Sequence, residues 1–371
     1  MKRSTLTSLL LLAATGCSEP AAPDEPPVED PDIEEAWDAE QQATLASTEQ
    51  GARLFTRETF DGNGRTCATC HTMSTGSLAP AQVQEAYARN PEDPLFRAID
   101  SDAGDGASYS RLLNAATVTV DVTMAPNVRL ASNPTARTVK LRRAVPSTFD
   151  TPRFDPVLMW DGREPTLQSQ ALHAINEHAE GGRVPTGAEL HTVADFEKAL
   201  FSSAKMMNYA RTGTPPPLPT GKTASEKRGA AFFAPASLCG SCHGGPLLNT
   251  LTEFNPQGLP AGGHFSSSAV SEANLAGNPL LDFIVTLPND TEQHVVSPDP
   301  GLMLQTGNPA HANFFKMVSL RNVKNTAPYF HDNSAKDLEQ VMVQYRILFD
   351  QLGLPLSEQD IADIQAYMLL L

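Results

Sequence analysis

The sequence predicts a mostly α-helical protein built as two helical domains, with a small β-hairpin inserted in the first. Three observations point there. A Gly-Ala-x-(Leu/Phe)-Phe run leading into Cys-x-x-Cys-His occurs twice, at Gly51–Phe55 before Cys67 and at Gly229–Phe233 before Cys239. Between the copies, Val118, Val120 and Val122 alternate with polar residues and 138–142 behaves alike, the pattern of paired strands. At the end, Ser357-Glu358-Gln359-Asp360 caps a helix carrying Ile361, Ile364, Tyr367 and Met368 on one side.

Taken in order, the chain opens Met1-Lys2-Arg3, an apolar Leu6–Leu12, then Ala13-Ala14-Thr15-Gly16-Cys17. This reads as a signal peptide over 1–17, with Cys17 resembling the lipidated first residue of a bacterial lipoprotein. Such an end anchors a protein without spanning the membrane, so the expected location is periplasm-facing, on a bacterial membrane. Residues 18–45 are Pro- and acid-rich, with ten Asp or Glu and no Lys or Arg before residue 41, a composition expected to form an extended tether. Removing those ten acids and the leader's two basic residues from the formal charge of −16 leaves −8. That balance argues against nucleic acid and suits a basic partner protein.

Ordered structure is expected from the capping box Ser47-Thr48-Glu49-Gln50, and the same pattern is expected to return at Ser225. Residues 73–145 form the insertion, helical near Gln82–Arg89 and holding the hairpin. Its Asp100–Gly106 loop is off the calcium-loop spacing by one residue and reads as a solvated turn. Pro215-Pro216-Pro217 and Pro219 mark a stiff linker, which sets domains at 46–212 and 213–371. From Gly244 to Ala310 the chain reads loop-rich, then helical from Asp337 to Phe349.

Cys67-Ala68-Thr69-Cys70-His71 and Cys239-Gly240-Ser241-Cys242-His243 carry the chemistry. Two thiols three positions apart can each add to one porphyrin vinyl group, and the adjacent imidazole can then take the iron, the c-type haem pattern. A zinc ribbon sets its pairs roughly 15–20 residues apart, whereas 169 positions run from Cys70 to Cys239. A redox Cys pair needs neither the histidine nor a second copy. The expectation is two covalently bound haem c groups in two cytochrome c-like helical domains, with His71 and His243 as proximal ligands.

Two further signatures make the chain resemble bacterial di-haem cytochrome c peroxidases and their MauG-like relatives over residues 47–371. The first is Trp160, Gln170 and Glu180, spaced by tens; the second is Leu320-Arg321-Asn322-Val323 followed by Thr326-Ala327-Pro328-Tyr329-Phe330-His331-Asp332. The resemblance implies hydrogen peroxide reduced at the N-terminal haem, with Gln170 positioning it and Glu180 as acid/base. A carboxyl buried beside the haem is expected to have its pKa raised enough to carry protons near neutrality. It implies Trp160 as an electron relay, although a tryptophan is more often plain core. The electrons would come from a small periplasmic donor, a cytochrome c or cupredoxin; in MauG-like proteins a partner protein's side chain is oxidised instead. A plain electron carrier with both irons capped is the reading from another class.

The relatives that need reductive activation carry a loop histidine between the first motif and the tryptophan. Here none occurs between His71 and His173, while His173 and His178 flank the acid/base region. Where the peroxidases place a methionine, fourteen residues after His331, this chain has Tyr345, as MauG-like proteins do. Tyr345 is therefore the expected distal ligand of the second haem, with Met342, one turn earlier, its rival. The resemblance also implies a calcium ion (Ca2+) held by backbone at Thr326 and Pro328, but the asparagine that would complete it is absent at Ala144-Val145-Pro146.

Overall fold

Helices dominate the N-terminal segment because its sequence supplies caps where they are needed. The computed structural model describes residues 48–267 and 277–371, so the leader, Cys17, the acidic stretch and Ser47 lie outside the described residues. Helix α1 (48–57) runs towards the first Cys motif, which forms the one-turn helix α2 (Cys67–Cys70). α3 (Pro80–Arg89) starts with proline in its first turn, where the missing N–H costs nothing. α4 (Ser110–Ala115) then leads into the expected hairpin, β1 (Thr117–Thr123), with β2 (Val128–Leu130) in the connection and β3 (Thr138–Ala144) returning. β1 and β3 pair antiparallel with Val120 opposite Leu141 and Val122 opposite Val139. These residues share one buried cluster with Val118, Leu112 and Val83.

The Asp100–Gly106 loop is not wholly solvated, contrary to expectation. Asp100 is buried and paired with Arg65 Nη1 at 2.7 Å, and it accepts the N–H of Thr119. A carboxylate there ties the insertion to the approach to Cys67.

α5 (Thr151–Phe154), α6 (Leu167–Glu177), α7 (Gly187–Glu197) and α8 (Ala204–Thr212) follow. Thr166 and Thr186 cap α6 and α7 by accepting the N–H three residues on. α9 (Ala224–Ala231) is capped by Thr223 with Glu226 in return, so the box sits two residues earlier than Ser225. Ser225 instead donates to Asp363 at 2.6 Å.

The stretch 244–310 departs most from expectation. Besides β4 (Phe265–Ser266), it holds a hairpin of β5 (Leu281–Thr286) and β6 (Glu292–Ser297) and the short α10 (Met303–Thr306). β5 pairs on its other edge with β2, Val128 opposite Val285, so Phe283 and Val285 fill the insertion's own core. The chain ends with β7 (Phe315–Lys316), α11 (Leu338–Gln351) and α12 (Glu358–Met368). Ser357 caps α12 as expected, and Ile364, Tyr367 and Met368 bury against Phe233 and Met342. Among the described residues no helix is long and apolar enough to cross a membrane.

Candidate functional site

Each Cys-x-x-Cys-His motif opens onto its own cavity. Cys67, Cys70 and His71 line one; Cys239, Cys242 and His243 line the other, so the two motifs cannot share a metal. The four thiols are unpaired, and burial pushes Cys67 and Cys239 up to about 12 and Cys70 to about 11. Reactive dithiol sites do the opposite, lowering the thiol pKa to make thiolate at neutral pH. Thiols kept protonated in this way are poorly suited to thiol–disulfide exchange.

Both histidines are prepared as ligands. His71 Nδ1 lies 3.0 Å from the Gly76 carbonyl and His243 Nδ1 lies 2.9 Å from that of Leu248. A carbonyl only accepts, so Nδ1 carries the hydrogen and Nε2 presents its lone pair. Burial lowers the pKa of both imidazoles and keeps them neutral, as a metal ligand must be. In the C-terminal cavity His243 Nε2 faces Tyr345 Oη at 3.1 Å. The donor set fits a haem in each cavity: two thiols, an oriented imidazole and, in the second, an opposing phenol. Burial raises the Tyr345 pKa, so its proton is one that a metal ion would have to displace. Met342, buried in the same cluster and lining the same cavity, makes no such approach to His243.

A wall separates the cavities. Ala144, Pro146, Trp160 and Lys316 line both. Trp160 is 8% exposed, its indole N–H donates to the Ala144 carbonyl at 2.9 Å, and its ring clusters with Phe315. Phe315 in turn stacks on His331, with centroids 3.9 Å apart. Beside the wall Arg143 is fully buried between Asp161 (2.6 Å) and Asp299 (2.6 Å). Burial alone would lower the Arg143 pKa, but the two carboxylates outweigh it and raise it.

The structure divides the predicted inter-motif residues. Gln170, on α6, lines the N-terminal cavity, and so does His178. Glu180 does not line it, and here the expectation of burial is corrected. Glu180 is exposed at φ 49°, and accepts a hydrogen bond from Asn63 Nδ2 at 3.1 Å. The cause is a close backbone approach. Gly62 and Gly182 lie where a Cβ would come within 2.0 Å of the Ala179 carbonyl and 2.4 Å of the Asp61 carbonyl. With the Asn63 N–H donating to Ala179 at 2.7 Å, the segment turns outward directly after Ala179. His173 is also outside, 63% exposed and paired with Glu164 at 2.5 Å. The buried carboxyl of this cavity is Glu197, 5% exposed, with Oε2 unpartnered and its pKa raised to about 8 by burial. The sequence reading did not single it out. It closes an ordinary capped helix, and no spacing distinguishes it.

Among the described residues no three His, Cys, Asp or Glu side chains converge as a further metal cage. No family model matches the chain. The chain is 25% identical over 338 residues to cytochrome-c peroxidase IdrP1 of Denitromonas iodatirespirans, spanning 86% of this chain and 79% of that protein. It is 25% identical over 218 residues to cytochrome c peroxidase Ccp of Escherichia coli K12, 58% of this chain and 38% of the other. Among solved structures, a MauG-like protein associated with microbial copper homeostasis is similar over 87% of both chains at 19% identity, with a TM-score of 0.49. Two cavities, each lined by a Cys-x-x-Cys-His motif, together with relatives named cytochrome-c peroxidase, mark this protein as a di-haem peroxidase similar to the bacterial cytochrome c peroxidases.

Proposed function

We propose that the N-terminal cavity reduces hydrogen peroxide and that electrons reach it from the C-terminal haem through Trp160. The observation that carries this is the position of Trp160 in the wall common to both cavities. Bound haem supplies the redox chemistry; the chain's own residues hold, orient and exchange protons. Gln170 presents a neutral amide to peroxide inside the N-terminal cavity. Glu180 stands outside that cavity, at the exposed end of the same segment, held by Asn63. The electrons are drawn from a small periplasmic donor protein, a cytochrome c or cupredoxin, and Cys17 serves as the lipidated anchor.

The test is to mix the diferric holoprotein with peroxide and follow each haem by absorption and EPR. The wild type should consume peroxide, with both haems responding. In Trp160→Phe the N-terminal haem should still respond. The C-terminal response should slow by roughly tenfold or more, the factor that about 1.4 kcal/mol of barrier represents. Equal C-terminal rates in the two proteins would remove Trp160 from the path.

The second outcome, oxidation of a partner protein's side chain as in MauG-like enzymes, is favoured by Tyr345 facing His243. A phenolate is a hard anionic ligand that favours oxidised iron, where a thioether favours reduced iron. On this reading Tyr345→Phe should convert the C-terminal ferric haem from low to high spin, while Met342→Leu leaves its EPR signal unchanged. The reverse pattern would assign the ligand to Met342.

A further inference from the structure

Gln170, Ala174 and His178 recur every four residues along α6 and its cap, so their side chains form one stripe. All three line the cavity of Cys67, Cys70 and His71. The His178 backbone is fixed on both sides. Its N–H donates to Ala174, and its carbonyl accepts from Asn63 Nδ2 at 3.0 Å and from Arg65 Nη1 at 3.4 Å. The imidazole's ion-pair contact is a long one, Glu177 Oε2 at 4.0 Å from Nε2. Burial lowers its pKa to about 4; Arg65, Arg163 and His71 act in the same direction and Asp100 against it. At working pH the ring is neutral, so one nitrogen can accept a proton while the other holds one.

We propose that His178, rather than Glu180, takes the proton from the inner oxygen of peroxide bound in the N-terminal cavity and delivers it to the outer oxygen. The assignment rests on reading that cavity as the peroxide site. An N–H bond forms on the imidazole as the inner O–H breaks, and it breaks again as the outer oxygen gains a hydrogen. The O–O bond then cleaves and the outer oxygen leaves as water; a haem bound in the cavity would supply the two electrons required, and the donor protein would return them. The remaining oxygen becomes the second water with those electrons and two protons from solvent. His178 ends as it began. Glu180 cannot serve the inner oxygen from where it stands, because it is turned to the surface beyond Ala179.

The test uses holoprotein with haem loading checked by mass, comparing His178→Gln, His178→Asn and Glu180→Gln with wild type. Two rates are read: consumption of one equivalent of peroxide by the diferric protein, and binding of cyanide. Hydrogen cyanide must give up a proton on entering, so its rate reports the base without any peroxide chemistry. Both His178 variants should slow both rates by ~10²–10⁴-fold, the usual share of a positioned acid/base, with ferric EPR spectra unchanged. Glu180→Gln should change either rate by less than about tenfold, under 1.4 kcal/mol. Wild-type rates in the His178 variants, or the full loss in Glu180→Gln, would overturn the proposal. So would a low-spin wild-type signal turning high-spin in His178→Gln, which would make His178 an axial ligand. Wild-type protein inert to both reagents would instead overturn the peroxide-site reading, and this assignment with it.

Discussion

Arg143→Met is expected to destabilise the holoprotein by about 3–5 kcal/mol, the usual cost of removing one member of a buried ionic group. Arg143 is 1% exposed, and its guanidinium spans Asp161 and Asp299, themselves 0% and 4% exposed. Methionine fills a similar volume, so the loss is not a cavity effect. Two carboxylates remain in a dry interior with one cation, Arg163, on one of them. Combining Arg143→Met with Asp299→Asn should recover most of the loss, because Asp161, the one buried carboxylate then remaining in the group, keeps Arg163 as its partner. Urea denaturation with matched m-values checks both expectations. A single-variant cost under about 1 kcal/mol, the range of an exposed pair, would show that water reaches the group. The effect should also reach function. The Arg143–Asp161 pair lies one residue along, on each segment, from the hydrogen bond between Trp160 and Ala144, so the same contacts that hold the fold hold Trp160.

The haem-binding half of this site was legible because its chemistry is local. Two thiols and an imidazole must occupy five consecutive residues, and no tertiary context alters that requirement. The cap of α12 and the alternation of β1 were legible for the same reason, since a cap or a pleat is decided within a few positions. Partners distant in sequence were not. The β2–β5 pairing joins Val128 to Val285, and Arg143 meets Asp299, 156 residues on; nothing near either residue announces the other. Glu180 shows a subtler limit. Its spacing from Gln170 is right, but the glycines at 62 and 182 let two backbones approach closely and turn the chain outward before it. His178 was visible only as one of two histidines, and it took the stripe on α6 to separate it from His173.

Glu197→Gln is expected to leave stability nearly unchanged at pH 5 and to make the holoprotein several kcal/mol more stable than wild type at pH 9. Burial raises the Glu197 carboxyl from 4.5 to about 8, and the nearby Lys198 offsets this only in part. Below pH 4.5 the folded and unfolded chains both carry the proton, so the group has no effect on the balance. Between 4.5 and about 8 the unfolded chain releases it while the folded chain keeps it. Stability therefore falls as pH rises, by about 1.4 kcal/mol per unit, and levels off above the folded pKa. Glutamine has the shape of the protonated acid and nothing to lose, so its curve should stay flat across that window apart from groups common to both proteins. Denaturation of the two proteins at pH 5, 7 and 9 gives the difference directly, and parallel curves would mean that Glu197 is ionised in the native protein. The outcome bears on the N-terminal site because Glu197 lines that cavity with Oε2 unpartnered. A neutral carboxyl is tolerated in such a buried place, whereas a carboxylate there would have only the partial offset of Lys198 against its burial.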